Sequence, residues 1–168
     1  MLRRTPRRQT ANSSEAIWRI HDAQMDWTGK VDAKAAFALS IHGALLAAAV
    51  SLLDQVDGVV AYWLLGAGSL FVALGLVVAA SVVAPRLRSK HLDDETDRNF
   101  IFFGHARRWE PEALAHEIRR GDLTDQVARQ IVVMADIAWT KHRRVGLSIW
   151  LAPVGGVLLA AAVLASKL

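Results

Sequence analysis

VVAYWLLGAGSLFVALGLVVAASVVA, residues 59–84, holds no charged side chain over 26 positions. Buried helices of soluble proteins rarely stay uncharged that long, whereas about 20 apolar residues in a helix cross the hydrocarbon core of a bilayer. A second charge-free run, residues 145–166, extends over 22 positions. A third, residues 35–53, is shorter and includes Ser40, His42 and Ser51. Residues 54–58 join it to the first run, so the pair reads as a helical hairpin. The expected fold is an all-α integral membrane protein, with three transmembrane helices and a small cytoplasmic helical region.

The remaining chain divides into an N-terminal arm and helix (1–34) and a central helical segment (85–144). Neither is large enough to bury a comfortable core of its own, so one architectural unit is expected. Charge sets the orientation. Seven Lys/Arg lie in 1–34 and twelve in 86–144, none lies in 54–58, and only Lys167 follows the third run. The excess of Lys/Arg on cytoplasmic segments places the N-terminus and the central segment inside and the C-terminus outside. The net charge of +4 therefore reflects topology and implies no nucleic-acid partner. Arg3, Arg4, Arg7 and Arg8 lack the apolar stretch of a secretory signal. They read as a disordered arm near lipid headgroups.

Local signals refine the helices. Asn12 with Glu15 fits an N-cap and capping box for a helix running to Val31, weakened by Gly29. Ala84-Pro85-Arg86 stops the second span, and residues 91–97 read as a polar loop. Pro111 and Glu112 open a helix that Arg119, Arg120 and Gly121 close. From Asp122 a further helix repeats Val127, Ile131, Met134 and Ala138 as a packing seam. No breaker precedes Gly146, so this helix continues into the third span, where Pro153 introduces a kink. Small residues at Ser40, Ala44 and Ala48, and at Ala152, Gly156 and Ala160, suit close helix contacts.

The absence of cysteine excludes disulfides and thiol chemistry. His116-Glu117 lacks the second His of a zinc-protease helix, His21-Asp22 lacks further ligands, and no Gly-rich phosphate loop occurs. No metal site and no enzyme activity are expected. His42 is the one ionisable group inside a span. It reads as a neutral imidazole bonded across helices or, at lower weight, as a relay or gate. Arg107 and Arg108 follow Gly104-His105, far from any span, and suit an anion as well as they suit topology.

Certain ordered motifs resemble a known family. They are Trp27 with Asp32-Ala33-Lys34-Ala35 and Ala84-Pro85-Arg86, then Asn99-Phe100-Ile101-Phe102-Phe103-Gly104-His105 and the Glu112 helix. Asp122-Leu123 leading to Gln130, Asp136 and Lys141 completes the set. Together they are similar to the transmembrane effectors (PycTM) of Pycsar antiphage systems, over roughly residues 20–166. The resemblance implies a multi-pass protein of the bacterial inner membrane that acts in abortive infection. A companion pyrimidine cyclase would supply cyclic CMP or cyclic UMP as activating ligand, with no other cofactor, and the effector would impair the membrane. Three thin spans scarcely enclose a pore, so a homo-oligomer is expected. Asn99, His105, Arg107, Arg108 and Trp109 are the candidate ligand-binding residues. Two other classes fit the same hydropathy, a non-catalytic scaffold or regulatory subunit and a small channel component using His42.

Overall fold

A computed structural model describes residues 6–84 and 99–168, with side chains from Ser13 onward. The expected stop at Pro85-Arg86, the polar stretch 91–97, and the four N-terminal arginines except Arg7 and Arg8 lie outside these residues. Among these residues five helices follow in order: α1 (Pro6–Ser51), α2 (Val59–Val83), α3 (Phe103–Ala106), α4 (Pro111–Arg120) and α5 (Thr124–Ala165). No strand occurs among the described residues. Among the described residues three helices are long and apolar enough to cross a membrane. The protein is an all-α membrane protein, as its hydropathy predicts.

Helix α1 differs from expectation at its start and its middle. It passes through Asn12, so the capping box does not open it; Glu15 instead pairs with Arg19 one turn on. That carboxylate, hydrogen-bonded to the guanidinium, raises the Arg19 pKa further. The helix also passes through Gly29 unbroken. A helical glycine costs only about 1 kcal/mol relative to alanine, and packing at the neighbouring Val31 and Ala35, both fully buried, outweighs it.

The chain divides into two compact units, residues 1–28 with 85–138, and residues 29–84 with 139–168. The second is a three-helix bundle of apolar spans. At one end Val31, Ala35, Val82 and Val145 cluster; at the other Ala49, Val56, Ala61, Leu65, Leu159 and Ala162 do so. These pairings make α1 and α5 run in the same direction and α2 oppose them. The seam of α2 is Ala61, Leu65, Gly68, Val72, Gly75, Ala79 and Val82. Steps of four and three alternate along it, which is the heptad repeat of left-handed helix packing. On α1 the same repeat runs through Val31, Ala35, Ala38, His42 and Ala49.

This register leaves Ser40, Ala44 and Ala48 exposed on the outer face, so the small-residue spacing on α1 does not mark its internal contact. Helices α2 and α5 instead meet closely at Gly68 and Gly155, where a Cβ on either would lie 3.0 Å from the other's carbonyl oxygen. A Cβ on Gly155 would lie 2.5 Å from Val72 Cγ2, so only hydrogen fits there. Helix α5 stays continuous across Pro153, although proline removes the donor that the Ile149 carbonyl would otherwise meet.

One end of the bundle is pinned by charge. Lys141 Nζ donates to both Asp32 oxygens, at 2.6 and 2.9 Å. Arg144 adds a longer bond to Ser81 Oγ, 3.4 Å. The Lys141 side chain is only 22% exposed, so solvent screens the pair less than it would a surface bridge. Losing either partner is expected to cost about 1–2 kcal/mol. In a double-mutant cycle of Asp32→Asn and Lys141→Met, measured by unfolding in mixed micelles, the double variant should lose less than the sum of the singles. Exchanging the charges, Asp32→Lys with Lys141→Asp, should recover most of the loss. Additive losses would show that the two side chains do not interact.

Candidate functional site

The first unit is organised around the apolar stretch that is too short to span. Phe100 is buried and meets Trp109 edge to face, centroids 5.8 Å apart. Trp109 Nε1 donates to the Asn99 carbonyl at 3.3 Å. The Phe100 amide donates to Gln126 Oε1 at 3.4 Å, which ties this segment to the first turn of α5. His105 is buried with its ring edge-on to Phe102. The start of α5 is capped by Asp122, whose carboxylate accepts from the Thr124 amide at 2.9 Å and from the Thr124 hydroxyl. These bonds lower the Asp122 pKa, the hydroxyl contributing most. The group's ionised form thus favours the cap at neutral pH, and the contribution is lost as pH falls through its depressed pKa.

Between this segment and α5 lies a crevice of about 560 Å³, within the size range of small-ligand sites. One wall carries Asn99, Phe102 and His105; the other carries Gln126, Arg129, Gln130 and Val133. The spacing of three and four puts those α5 residues on one helical face. Gln126 Oε1 is engaged by the Phe100 amide, so its NH2 group remains as a donor. Arg129 Nε donates to the carbonyl of Asp125 in its own helix, 3.4 Å away. The flat guanidinium still has its two terminal amino groups to offer an anion.

The sequence-derived candidates separate here. Asn99 and His105 line the crevice. Trp109 supports it from behind through Asn99 and Phe100. Arg107 and Arg108 are exposed on the turn after α3 and are not among the described residues lining the crevice. Sequence reasoning passes over Gln126 and Arg129 as site residues, and Gln130 stands in it only as part of the family motif. Among the described residues, the crevice offers one guanidinium, carboxamide donors and acceptors, and an aromatic ring. That set suits a planar, hydrogen-bonding group carrying a single negative charge. No cluster suited to a metal ion occurs among the described residues.

His42 lies elsewhere, in the membrane bundle, and is fully buried. Its Nε2 sits 3.1 Å from both the carbonyl oxygen and Oγ of Ser148. The Ser148 hydroxyl donates to the Gly75 carbonyl at 2.8 Å. Its single hydrogen is therefore committed, and the Ser148 carbonyl can only accept. Nε2 must carry the imidazole hydrogen and share it between the two serine oxygens. A Cβ on Gly75 would lie 2.1 Å from His42 Cε1. The ring occupies the space that glycine vacates, and three helices meet at this one polar point.

The fold and its site define a class, a three-span helical membrane protein joined to a compact helical unit that holds a polar crevice lined by Arg129. Residues 16–166 match the PycTM family, described as the Pycsar effector protein domain. The chain belongs to that family, and its role is that of an effector in Pycsar antiphage defence, working with the membrane and a companion cyclase. No curated protein and no solved structure matches it.

Proposed function

We propose that the protein is a non-catalytic effector of the bacterial inner membrane, switched on by a cyclic pyrimidine mononucleotide, cyclic CMP or cyclic UMP, that binds in the crevice of the first unit. The observation that carries this reading is the pairing of Arg129 with the carboxamides of Gln126, Gln130 and Asn99 in one crevice beside Phe102, in a chain of the Pycsar effector family. The phosphodiester has one negative charge for the guanidinium to take in fork geometry. The base edge presents carbonyl and ring-nitrogen groups to the carboxamides, and its face can lie on the Phe102 ring.

The crevice residues of α5 belong to the same continuous helix as a membrane span. A ligand that binds one conformation of the crevice more tightly shifts the protein toward that conformation, by no more than the difference in affinity. In this reading the shift impairs the membrane barrier, with several copies acting together and the N-terminus in the cytoplasm. Titration of the full chain in nanodiscs should give saturable binding of cyclic CMP or cyclic UMP and none of the linear nucleotide. Liposomes bearing the protein should leak a trapped dye only when that messenger is added. Leakage that ignores the messenger, with no binding by calorimetry, would sink this reading and favour a scaffold or regulatory subunit.

A further inference from the structure

On one flank of the membrane bundle, α1 and α5 stand apart and leave a crevice of about 410 Å³. Phe37 and Ile41 wall it from α1, Ile149 and Ala152 from α5, and His42 and Lys34 also line it. Lys34 and His42 are eight positions apart, about 12 Å along a helix. That length stays within one leaflet, half of a hydrocarbon core of roughly 30 Å. The seam beside it is fastened by the Asp32–Lys141 pair and by the His42–Ser148 bonds. The opening is therefore a fixed hollow between two pinned helices.

The position and chemistry of the hollow restrict its occupant. Residues 35–53 and 145–166 carry no charge, so its walls lie at hydrocarbon depth. Phe37 is 70% exposed and Ile41 38% exposed, apolar surface that the protein leaves uncovered. Water gains nothing in so apolar a hollow, and an empty one forfeits the dispersion contacts of its lining. The filling group must come from the bilayer. Lys34, the one charged residue lining the hollow among the described residues, is also the last charge on α1 before the span. An ammonium at that level selects a negatively charged headgroup.

We propose that the α1–α5 hollow is a binding site for one anionic phospholipid, with an acyl chain between Phe37/Ile41 and Ile149/Ala152 and its phosphate on the Lys34 ammonium. Asp32 closes the helix pair, and its neighbours furnish the rim of the hollow.

Native mass spectrometry of the full chain, released from detergent with equal phosphatidylglycerol and phosphatidylcholine, tests this. The wild type should retain one phosphatidylglycerol per chain. Lys34→Gln, at an exposed position, should reduce that retention about fivefold, the equivalent of the ~1 kcal/mol a basic residue contributes at an anionic surface, and abolish the preference over phosphatidylcholine. Ala152→Leu, which fills the hollow, should release both lipids while helicity by circular dichroism stays at the wild-type level. The proposal is overturned if Lys34→Gln keeps the preference, or if the wild type retains no lipid. It is equally overturned if Ala152→Leu converts a dimer to a monomer without changing retained lipid, since a second copy would then be the occupant.

Discussion

Gly75→Ala should destabilise the membrane bundle by about 1–3 kcal/mol, although alanine is the better helix former. The intrinsic gain from replacing a helical glycine is about 1 kcal/mol. Against it stands a Cβ that would lie 2.1 Å from His42 Cε1 and 2.4 Å from Nε2, closer than any real contact. The imidazole must leave its place, which forfeits its bonds to Ser148 and forces α1 away from α2. Interhelical hydrogen bonds in membranes average only about 0.6 kcal/mol, so steric overlap dominates; overpacking alone typically costs 1–3 kcal/mol. The decisive comparison is with His42→Ala. That variant alone should lose about 1–2 kcal/mol, through the lost bonds and the space left. The double variant should be more stable than Gly75→Ala, because the methyl then has room. Unfolding by steric trapping in bicelles measures all three. If the double variant loses the sum of the two single losses, His42 and Gly75 do not share this space.

The same site shows why hydropathy reveals the spans and hides their packing. Charge-free length is a one-dimensional property, and residues 59–84 and 145–166 display it whatever they touch. Inside such a run nearly every residue is apolar, so the contrast that marks the buried face of a soluble helix disappears. What remains is side-chain size at heptad spacing, as in Gly68, Gly75 and Ala79 on α2. Spacing by four alone selects Ser40, Ala44 and Ala48, which face outward. Asp32 and Lys141 belong to separate motifs 109 residues apart, and nothing in a single sequence pairs them. In the first unit the helix signals at Pro111, Arg119 and Arg120 read directly, because capping is local chemistry. Asn99 and His105 were legible as polar groups in an apolar stretch. Arg129 was not, since a lone arginine on an amphipathic helix looks like an ordinary solvated face. The signal that could have found it is the set Gln126, Arg129 and Gln130 on one side of α5.

Arg129→Ala should reduce affinity for the cyclic nucleotide at least tenfold to a hundredfold, about 1.5–3 kcal/mol for a hydrogen bond to a charged group. Arg107→Ala combined with Arg108→Ala should change it much less. All three arginines are exposed to solvent, so the difference is one of position: Arg129 contributes to the crevice wall, where carboxamides and an aromatic ring can hold the rest of the ligand, and Arg107 and Arg108 do not. Its Nε bond to the Asp125 carbonyl also restrains the side chain before any ligand arrives, which reduces the entropy lost on binding. Arg129→Lys keeps the charge but removes the fork, so it should recover only part of the affinity. Gln126→Ala tests the other side of the arrangement. It deletes both the donor offered to the ligand and the acceptor for the Phe100 amide, so it should weaken binding and loosen the stretch around Phe100 together. Calorimetry with cyclic CMP and cyclic UMP reads the affinities, and hydrogen exchange at Phe100 reads the second effect. Should the Arg107/Arg108 double variant lose binding while Arg129→Ala retains it, the anion sits on the turn after α3 and the crevice is not its site.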